Sequence, residues 1–342
     1  MKAVVFHEHG GTHVLRYTDV TEPRIHPNEV LVRVRACALN HLDLWVRRGI
    51  PGVPIPLPHI SGSDISGEIA KVGDLVKRVH VGQRVLLAPG VSCGQCEHCS
   101  AGDDNLCRQY TLLGYMLDGG CAEFVRAPEA NAIPIPENLS FEEAAAVPLV
   151  FLTAWHMLIT RAQLRPSEDV LVIGGGSGVG SAAIQIAKLI GARVIATVGT
   201  EEKAKKAKEL GADDVILHSK QKIHEEVKRL TNRRGVGVVF EHVGEATWDQ
   251  SMASLAAGGR LVTCGATTGF NAKIDIRFLF TRNLSILGSY MGSRAELYDV
   301  LSLVARGKLH AVIDRVLPLA RCAEAHAAME SREHFGKIVL TP

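Results

Sequence analysis

Four cysteines lie close together in the chain, and thiolates at short spacing can surround a single metal ion. Two C-x-x-C steps share their middle cysteine, and a fourth cysteine follows seven residues later, which gives the set Cys93, Cys96, Cys99 and Cys107. Such a set suits tetrahedral Zn²⁺. A structural zinc contributes about 10 to 16 kcal/mol to folding, whereas a short-loop disulfide contributes about 3 kcal/mol. The spacing predicts a structural zinc site, with a redox-active disulfide as the alternative.

A glycine-rich turn is the second segment with chemical potential. Residues 169–173 are apolar and β-branched, residues 181–190 have helical periodicity, and residues 192–198 read as another strand. In such a βαβ unit the turn brings backbone N–H groups to a pyrophosphate at the helix N-terminus. We therefore predict dinucleotide binding, with an ordinary tight turn as the alternative. The binding residues would be Gly175, Gly176, Ser177, Gly178, Val179 and Gly180.

The elements around these motifs divide the chain into two parts. In the first 150 residues, short β-like segments are separated by glycine and proline, which predicts an all-β module with irregular loops. Helical and β patterns then alternate, which predicts a doubly wound parallel sheet. A chain of 342 residues is long enough for two domains. We expect residues 1–147 and 291–342 to form the β-rich domain and residues 148–290 the nucleotide-binding domain.

Composition excludes several functional classes. The formal net charge is +2, without the basic stripe that nucleic acid requires. No apolar run reaches membrane-spanning length, and the N-terminus lacks the apolar core of a signal peptide. We therefore expect a cytoplasmic protein that binds neither nucleic acid nor membrane. Eight cysteines in such a chain favour metal or thiol chemistry over disulfides.

The cysteine spacing, the glycine turn and the order of the two parts resemble the zinc-dependent medium-chain dehydrogenase/reductase family over the whole chain. The resemblance is to alcohol dehydrogenases, and it implies a GroES-like catalytic domain beside a Rossmann domain. It also implies that Thr153 packs against the nicotinamide, and that Val243, Gly265 and Ala266 line the cofactor slot. Residues 284–288 would join the sheets of two subunits in a homodimer or homotetramer.

The ligand set of the family's catalytic zinc is altered in this chain. Cys37 is placed at the first cysteine ligand. Ser63 takes the place of the histidine ligand, Asp64 that of the glutamate, and Leu149 that of the third ligand. The hydroxyl residue of the usual proton relay is replaced by Leu39. Two of the three standard ligands are therefore missing, as in the family's quinone oxidoreductase branch.

Other zinc-competent side chains lie near these positions. We predict a catalytic zinc held by Cys37, His59 and Asp64, with His41 as a fourth ligand or a proton relay. An open zinc position would lower the pKa of a bound alcohol. The alternative is a metal-free site in which these four residues have structural roles.

The second strand of the nucleotide domain bears on the choice of cofactor. NAD binding usually requires a carboxylate at the end of this strand, but Val198 occupies that position. Thr200 can donate a hydrogen bond and Lys203 can supply a positive charge, so we favour NADP(H) over NAD(H).

These observations predict an enzyme, a zinc-containing alcohol dehydrogenase or carbonyl reductase that acts on a small alcohol, aldehyde or ketone. The first alternative is an NADPH-dependent quinone or enoyl reductase with only structural zinc. A lesser alternative is a nucleotide-sensing protein without turnover.

Overall fold

The structure is a computed structural model that describes residues 1–342. It contains seventeen strands: β1 Lys2–Val5, β2 Arg16–Asp19, β3 Glu29–Ala38, β4 Asp64–Val72, β5 Arg84–Leu87, β6 Gly90–Val91, β7 Thr111–Leu112, β8 Phe124–Pro128, β9 Ala132–Pro134, β10 Asp169–Val172, β11 Arg193–Val198, β12 Asp214–Leu217, β13 Val236–Glu241, β14 Leu255–Thr263, β15 Ser285–Gly288, β16 Ile313–Pro318 and β17 Lys337–Thr341.

Eleven α-helices accompany the strands: α1 His41–Arg48, α2 Glu97–Ala101, α3 Phe141–Ala145, α4 Pro148–Trp155, α5 Gly178–Ile190, α6 Glu201–Glu209, α7 Ile223–Leu230, α8 Glu245–Ser254, α9 Ile276–Thr281, α10 Arg294–Ala305 and α11 Cys322–Glu330. A π-helical turn, His156–Arg161, follows α4. None of these helices combines the length and the apolar character that a membrane span requires. The chain divides into two units, Met1–Leu149 with Ser293–Pro342, and Val150–Gly292.

The first unit is built on a sheet in the order β16-β17-β3-β4-β5-β9, with β8 paired to β3. Its strand pairs are antiparallel except for β16 and β17, which are parallel. Strand β3 alternates buried valines with exposed arginines, so its apolar side chains enter the core of this unit. The expectation of an all-β module for the first 150 residues was wrong, because α1, α2 and α3 lie in this part of the chain, and α1 begins three residues after β3 ends. Asn40 and Asp43 form a capping box that starts this helix, and Gly49 ends it.

The second unit contains a six-stranded parallel sheet in the order β12-β11-β10-β13-β14-β15. Its central strands β10, β11 and β13 are almost entirely buried and mostly aliphatic, as expected when helices cover both faces of a sheet. The order reverses between β10 and β13, and ligands of doubly wound sheets bind outside the carboxyl ends of the strands at such a switch point. The predicted fold class, a β-rich domain combined with a Rossmann-type domain, is confirmed.

Candidate functional site

The four clustered cysteines converge as their spacing predicts. Their Sγ atoms all lie within 4.8 Å of one another, and the Sγ atoms of Cys96 and Cys99 are 3.5 Å apart. Backbone N–H groups of Cys93 and Gln109 point at the Cys107 Sγ atom from 3.5 and 3.4 Å. This donor set fits a tetrahedral structural Zn²⁺ ion, and the N–H groups would stabilise its thiolate ligands.

The pKa of Cys93 shows the same preference for the thiolate. Hydrogen bonds from the backbone N–H groups of Gln95 and Cys96 lower this pKa to about 6. Because zinc binds the thiolate and not the thiol, Cys93 is suited to metal binding at neutral pH.

The glycine turn between β10 and α5 forms a cradle that side chains would fill. Gly174 has a φ of +65°, in the region that favours glycine. A Cβ atom on Gly180 would lie 2.3 Å from the Gly174 carbonyl oxygen, and one on Gly175 would lie 3.1 Å from the Ala196 Cβ atom. The Ser177 hydroxyl accepts a hydrogen bond from the Gly180 N–H group at 2.9 Å and caps α5. This cradle fits the pyrophosphate of a nicotinamide dinucleotide.

The remaining predicted cofactor residues lie at or beyond the carboxyl ends of neighbouring strands, or in α4. Val198 is buried at the end of β11, and the Thr200 hydroxyl caps α6 by accepting from the Lys203 N–H group at 3.2 Å. Val243 follows β13, while residues 265–266 follow β14. The loops after β13 and β14 pack closely, because a Cβ atom on Gly265 would lie 3.0 Å from the His242 carbonyl oxygen.

Thr153 is buried in α4, and its hydroxyl is 3.9 Å from the Met291 Sδ atom.

The structure does not bring together the residues predicted to hold a catalytic zinc. The Cys93 cluster is the only set of three or more potential ligands with ligand atoms within 4.8 Å of one another. Cys37 lies against Gly62, where an added Cβ atom would be 2.6 Å from its Sγ atom. His59 is buried and donates from Nε2 to the Gly114 carbonyl oxygen at 3.2 Å. The ring of His41 packs edge-on against Trp45, with ring centroids 5.0 Å apart.

Asp64 already has a cation beside it. Lys337 Nζ donates to Asp64 Oδ2 at 2.8 Å and to Asn40 Oδ1 at 2.6 Å. The Asn40 side chain donates to the same Asp64 oxygen at 2.9 Å, and the Leu149 N–H group donates to Oδ1 at 2.8 Å. Asp64 is 0% exposed and Lys337 is 3% exposed. The proposed set of Cys37, His59 and Asp64 therefore does not fit a zinc ion, because the only carboxylate among them is held in a buried ion pair.

Asp43 connects this ion pair to the turn that precedes Asp64. Its carboxylate accepts from the Asn40 N–H group at 2.7 Å and from the Gly62 N–H group at 2.8 Å. Burial raises the pKa of Asp43 to about 7. Between Gly62 and Asp64, the buried Ser63 hydroxyl has no hydrogen-bond partner within the protein. We refer to Asn40, Asp43, Ser63, Asp64 and Lys337 as the polar cluster.

Asn40 and Lys337 were missed as site residues in the sequence. Residue 38, not Cys37, is paired with Asp64 between β3 and β4, and the chain turns after β3 so that Asn40 reaches the carboxylate. Lys337 is the first residue of β17, whose next three residues are apolar. A lysine in such a strand is the one feature of the sequence that indicates a buried carboxylate partner.

Comparison with known proteins identifies the family. A model described as the alcohol dehydrogenase GroES-like domain matches residues 26–137, and a model described as zinc-binding dehydrogenase matches residues 178–306. An alcohol dehydrogenase of Geobacillus stearothermophilus is 34% identical over 331 residues, which cover 95% of this chain and 96% of that protein. The acryloyl-coenzyme A reductase of Metallosphaera sedula is 32% identical over 345 residues, which cover 100% of each chain.

The fold comparison agrees with the sequence comparison. A crystal structure described as an NAD-dependent alcohol dehydrogenase superimposes with a TM-score of 0.96 at 48% identity and covers 100% of both chains. The Rossmann cradle and the four-cysteine site support binding of a nicotinamide cofactor and of zinc. The chain therefore belongs to the zinc-type alcohol dehydrogenases of the medium-chain dehydrogenase/reductase family and is an NAD(P)-dependent oxidoreductase.

Proposed function

We propose that the protein is an alcohol dehydrogenase or carbonyl reductase whose zinc is structural only. The bound nicotinamide exchanges a hydride with the carbon atom that bears the oxygen in a small alcohol or carbonyl compound. The observation that carries the zinc assignment is the buried pair of Asp64 and Lys337, because it uses the carboxylate that a second zinc would need. The cradle at Gly175 and Gly180 binds the pyrophosphate.

In this proposal His41 exchanges a proton with the substrate oxygen. Its ring is half-buried at the first position of α1 and is held in orientation by the edge-on contact with Trp45. An imidazole exchanges protons near neutral pH, which suits a general acid or base. The charge that develops on the substrate oxygen would be stabilised by hydrogen-bond donors in place of a metal.

Reduction of a conjugated C=C bond is the second candidate, and the pairing of Asp64 with Lys337 is compatible with it as well. Hydride addition to the β-carbon of an unsaturated carbonyl spreads the negative charge into an enolate, which hydrogen bonds can stabilise without a Lewis acid. The similarity to an acryloyl-coenzyme A reductase supports this candidate.

One substrate separates the two reactions. But-3-en-2-one, supplied with NADPH or NADH, yields but-3-en-2-ol if the carbonyl is reduced and butan-2-one if the C=C bond is reduced. Gas chromatography distinguishes these products. But-3-en-2-ol from the wild type, at a rate unchanged by a chelator that leaves the structural zinc bound, supports the first proposal. Butan-2-one as the sole product favours the second, and cofactor binding without either product favours a nucleotide sensor.

We infer a preference for NADP(H) from the end of β11. Val198 leaves no carboxylate to repel a 2′-phosphate, and Lys203 lies in the first turn of α6. The ratio of kcat/KM for NADPH and NADH tests this preference. Lys203→Ala should lower the ratio, whereas Lys205→Ala removes a charge from the other side of the same helix and should leave it unchanged. A preference for NADH that Lys203→Ala does not alter would contradict the inference.

We further propose that two copies of the chain pair through β15 in a homodimer or homotetramer. Strand β15 is the edge of the parallel sheet, and an unpaired edge is a site for strand addition. Large apolar side chains are exposed in the segment before it, including Phe270 at 76%, Ile276 at 70% and Phe280 at 66%. A monomer in sedimentation equilibrium at micromolar concentration would refute the pairing, while Phe280→Asp should weaken it.

A further inference from the structure

Asp104 connects the four-cysteine loop (residues 92–107) to a helix that lies far away in the sequence. Its Oδ1 atom accepts a hydrogen bond from the Arg294 backbone N–H group at 2.8 Å, and its Oδ2 atom lies 3.6 Å from the Arg294 Nη2 atom. The side chains of Asp104 and Arg294 are 13% and 24% exposed. Arg294 is the first residue of α10 and is separated from Asp104 by 190 residues. The contact is therefore a mostly buried, two-point link between distant segments of the first unit.

The position of Asp104 depends on the segments that carry two of the cysteines. The Cys107 N–H group donates to the Asp104 carbonyl oxygen at 3.1 Å. The hydroxyl of Ser92, the residue before Cys93, donates to Asp104 Oδ2 at 3.4 Å. Helix α2 lies between these segments and buries none of its residues, so it supplies no apolar core to the loop. Binding of zinc by the cysteines is then the main restraint on the loop, and thereby on the Asp104 carboxylate.

The start of α10 depends on partners outside its own backbone. The first four N–H groups of a helix have no backbone partner within it, and a carboxylate near them is favourable. Ser293 and Glu296 form a capping box in which the Ser293 hydroxyl accepts from the Glu296 N–H group. The Arg294 N–H group is satisfied by Asp104 instead. Ser293 is also the residue at which the chain returns from the second unit to the first. A carboxylate of the four-cysteine loop therefore completes the helix start at which the first unit resumes.

We propose that Asp104 is a positioning residue that couples zinc occupancy of the four-cysteine loop to the stability of the start of α10. With zinc bound, the ordered loop holds the carboxylate against Arg294. When zinc leaves, the loop loses its order and α10 loses both a hydrogen-bond acceptor and a counter-charge. Coupling between two sites is reciprocal, so a change at Arg294 also changes the retention of zinc. This role goes beyond the proposed reaction, because it requires neither cofactor nor substrate.

Zinc release from the folded holoprotein tests the coupling without turnover. The chromogenic chelator 4-(2-pyridylazo)resorcinol, added in excess, records the release rate. Asp104→Asn and Arg294→Ala should each release zinc about fivefold faster than wild type, or faster still. Arg294→Ala is the stricter variant, because Arg294 lies outside the four-cysteine loop and affects zinc through its contact with that loop. The double variant should release zinc no faster than the faster single variant, because both changes break the same link.

Two control variants remove a charge of the same sign without breaking the link. Asp103 is an exposed neighbour of Asp104 whose side chain makes no capping hydrogen bond. Arg306 is exposed at the opposite end of α10. Asp103→Asn and Arg306→Ala should therefore release zinc at the wild-type rate.

Hydrogen exchange measures the coupling in the other direction. Removal of zinc should speed amide exchange in peptides that cover α10 about fivefold in wild type, and less than about twofold in Asp104→Asn, where the link is already broken. Release of zinc from Arg294→Ala at the wild-type rate would overturn the proposal, as would exchange in α10 that zinc removal leaves unchanged. If the zinc-free chain does not fold, the release rates of the holoprotein alone decide the outcome.

Discussion

Replacing Lys337 with methionine tests whether the polar cluster depends on its buried cation. The Asp64 carboxylate would keep two donors, the Asn40 side chain and the Leu149 N–H group, but it would lose its counter-charge. Removing one partner of a buried ion pair costs about 3 to 5 kcal/mol, because the other charge stays buried. We expect Lys337→Met to lower the free energy of unfolding of the first unit by that amount.

Urea unfolding at pH 7.5, followed by hydrogen exchange of β3 and β4, measures this loss. The control is Lys71→Met, which breaks the exposed pair of Lys71 with Glu22, where the Nζ–Oε1 distance is 2.6 Å and the lysine is 61% exposed. An exposed pair of this kind contributes less than about 1 kcal/mol. The double variant Asp64→Asn/Lys337→Met removes both charges and should recover part of the stability. If Lys337→Met and Lys71→Met unfold at the same urea concentration, the buried ion pair does not contribute more to stability than the exposed pair, and the reasoning is refuted.

Three further predictions concern zinc, pH and the cradle. The wild type should contain about one zinc per chain by mass spectrometry and Cys107→Ser less than a tenth of that; a second equivalent would contradict the metal-free cluster. Burial lowers the pKa of His326 to about 4, so below about pH 6.5 the unfolded chain binds a proton that the folded chain does not. Stability should therefore fall as pH drops from 6.5 to 4, and His326→Gln should make that slope shallower by about 1.4 kcal/mol per pH unit, measured by urea unfolding. Gly180→Ala should weaken NADPH binding at least tenfold in fluorescence titrations, because its Cβ atom would lie 2.3 Å from a carbonyl oxygen, whereas Gly288→Ala, which meets no atom within 4 Å, should not.

The features that could be predicted from the sequence are those encoded by neighbouring residues. The spacing of Cys93, Cys96 and Cys99 determines that their sulfur atoms can meet, whatever the rest of the chain does. The alternation of strands and helices after residue 150 likewise implies a doubly wound parallel sheet, because short βα connections leave few other arrangements. Both predictions are confirmed.

The polar cluster could not be predicted because its members are distant in the chain and their side chains depend on strand register. Successive side chains of a strand point to opposite faces, so the position of Cys37 one residue before the partner of Asp64 places its thiol in the core. Lys337 is 273 residues from Asp64. Its strand reaches β3 through the pairing of Val339 with Ala38 and of Leu340 with Cys37, which no local pattern encodes.

The hydrogen bonds and the ion pair of the polar cluster explain how the fold stays stable with Ser63 and Asp64 in place of zinc-binding side chains. A carboxylate left alone in the core by the loss of a metal would be costly, because burial penalises an unpaired charge. Here Asp64 has one cation and two neutral donors, and Asn40 bonds to both members of the ion pair. Asp43 in turn accepts hydrogen bonds from the backbone N–H groups of Asn40 and Gly62, which ties the segment after β3 to the turn before β4. The Ser63→His variant, which adds one zinc ligand, should therefore bind no second zinc, because the Asp64 carboxylate can coordinate a metal only when Lys337 is also removed.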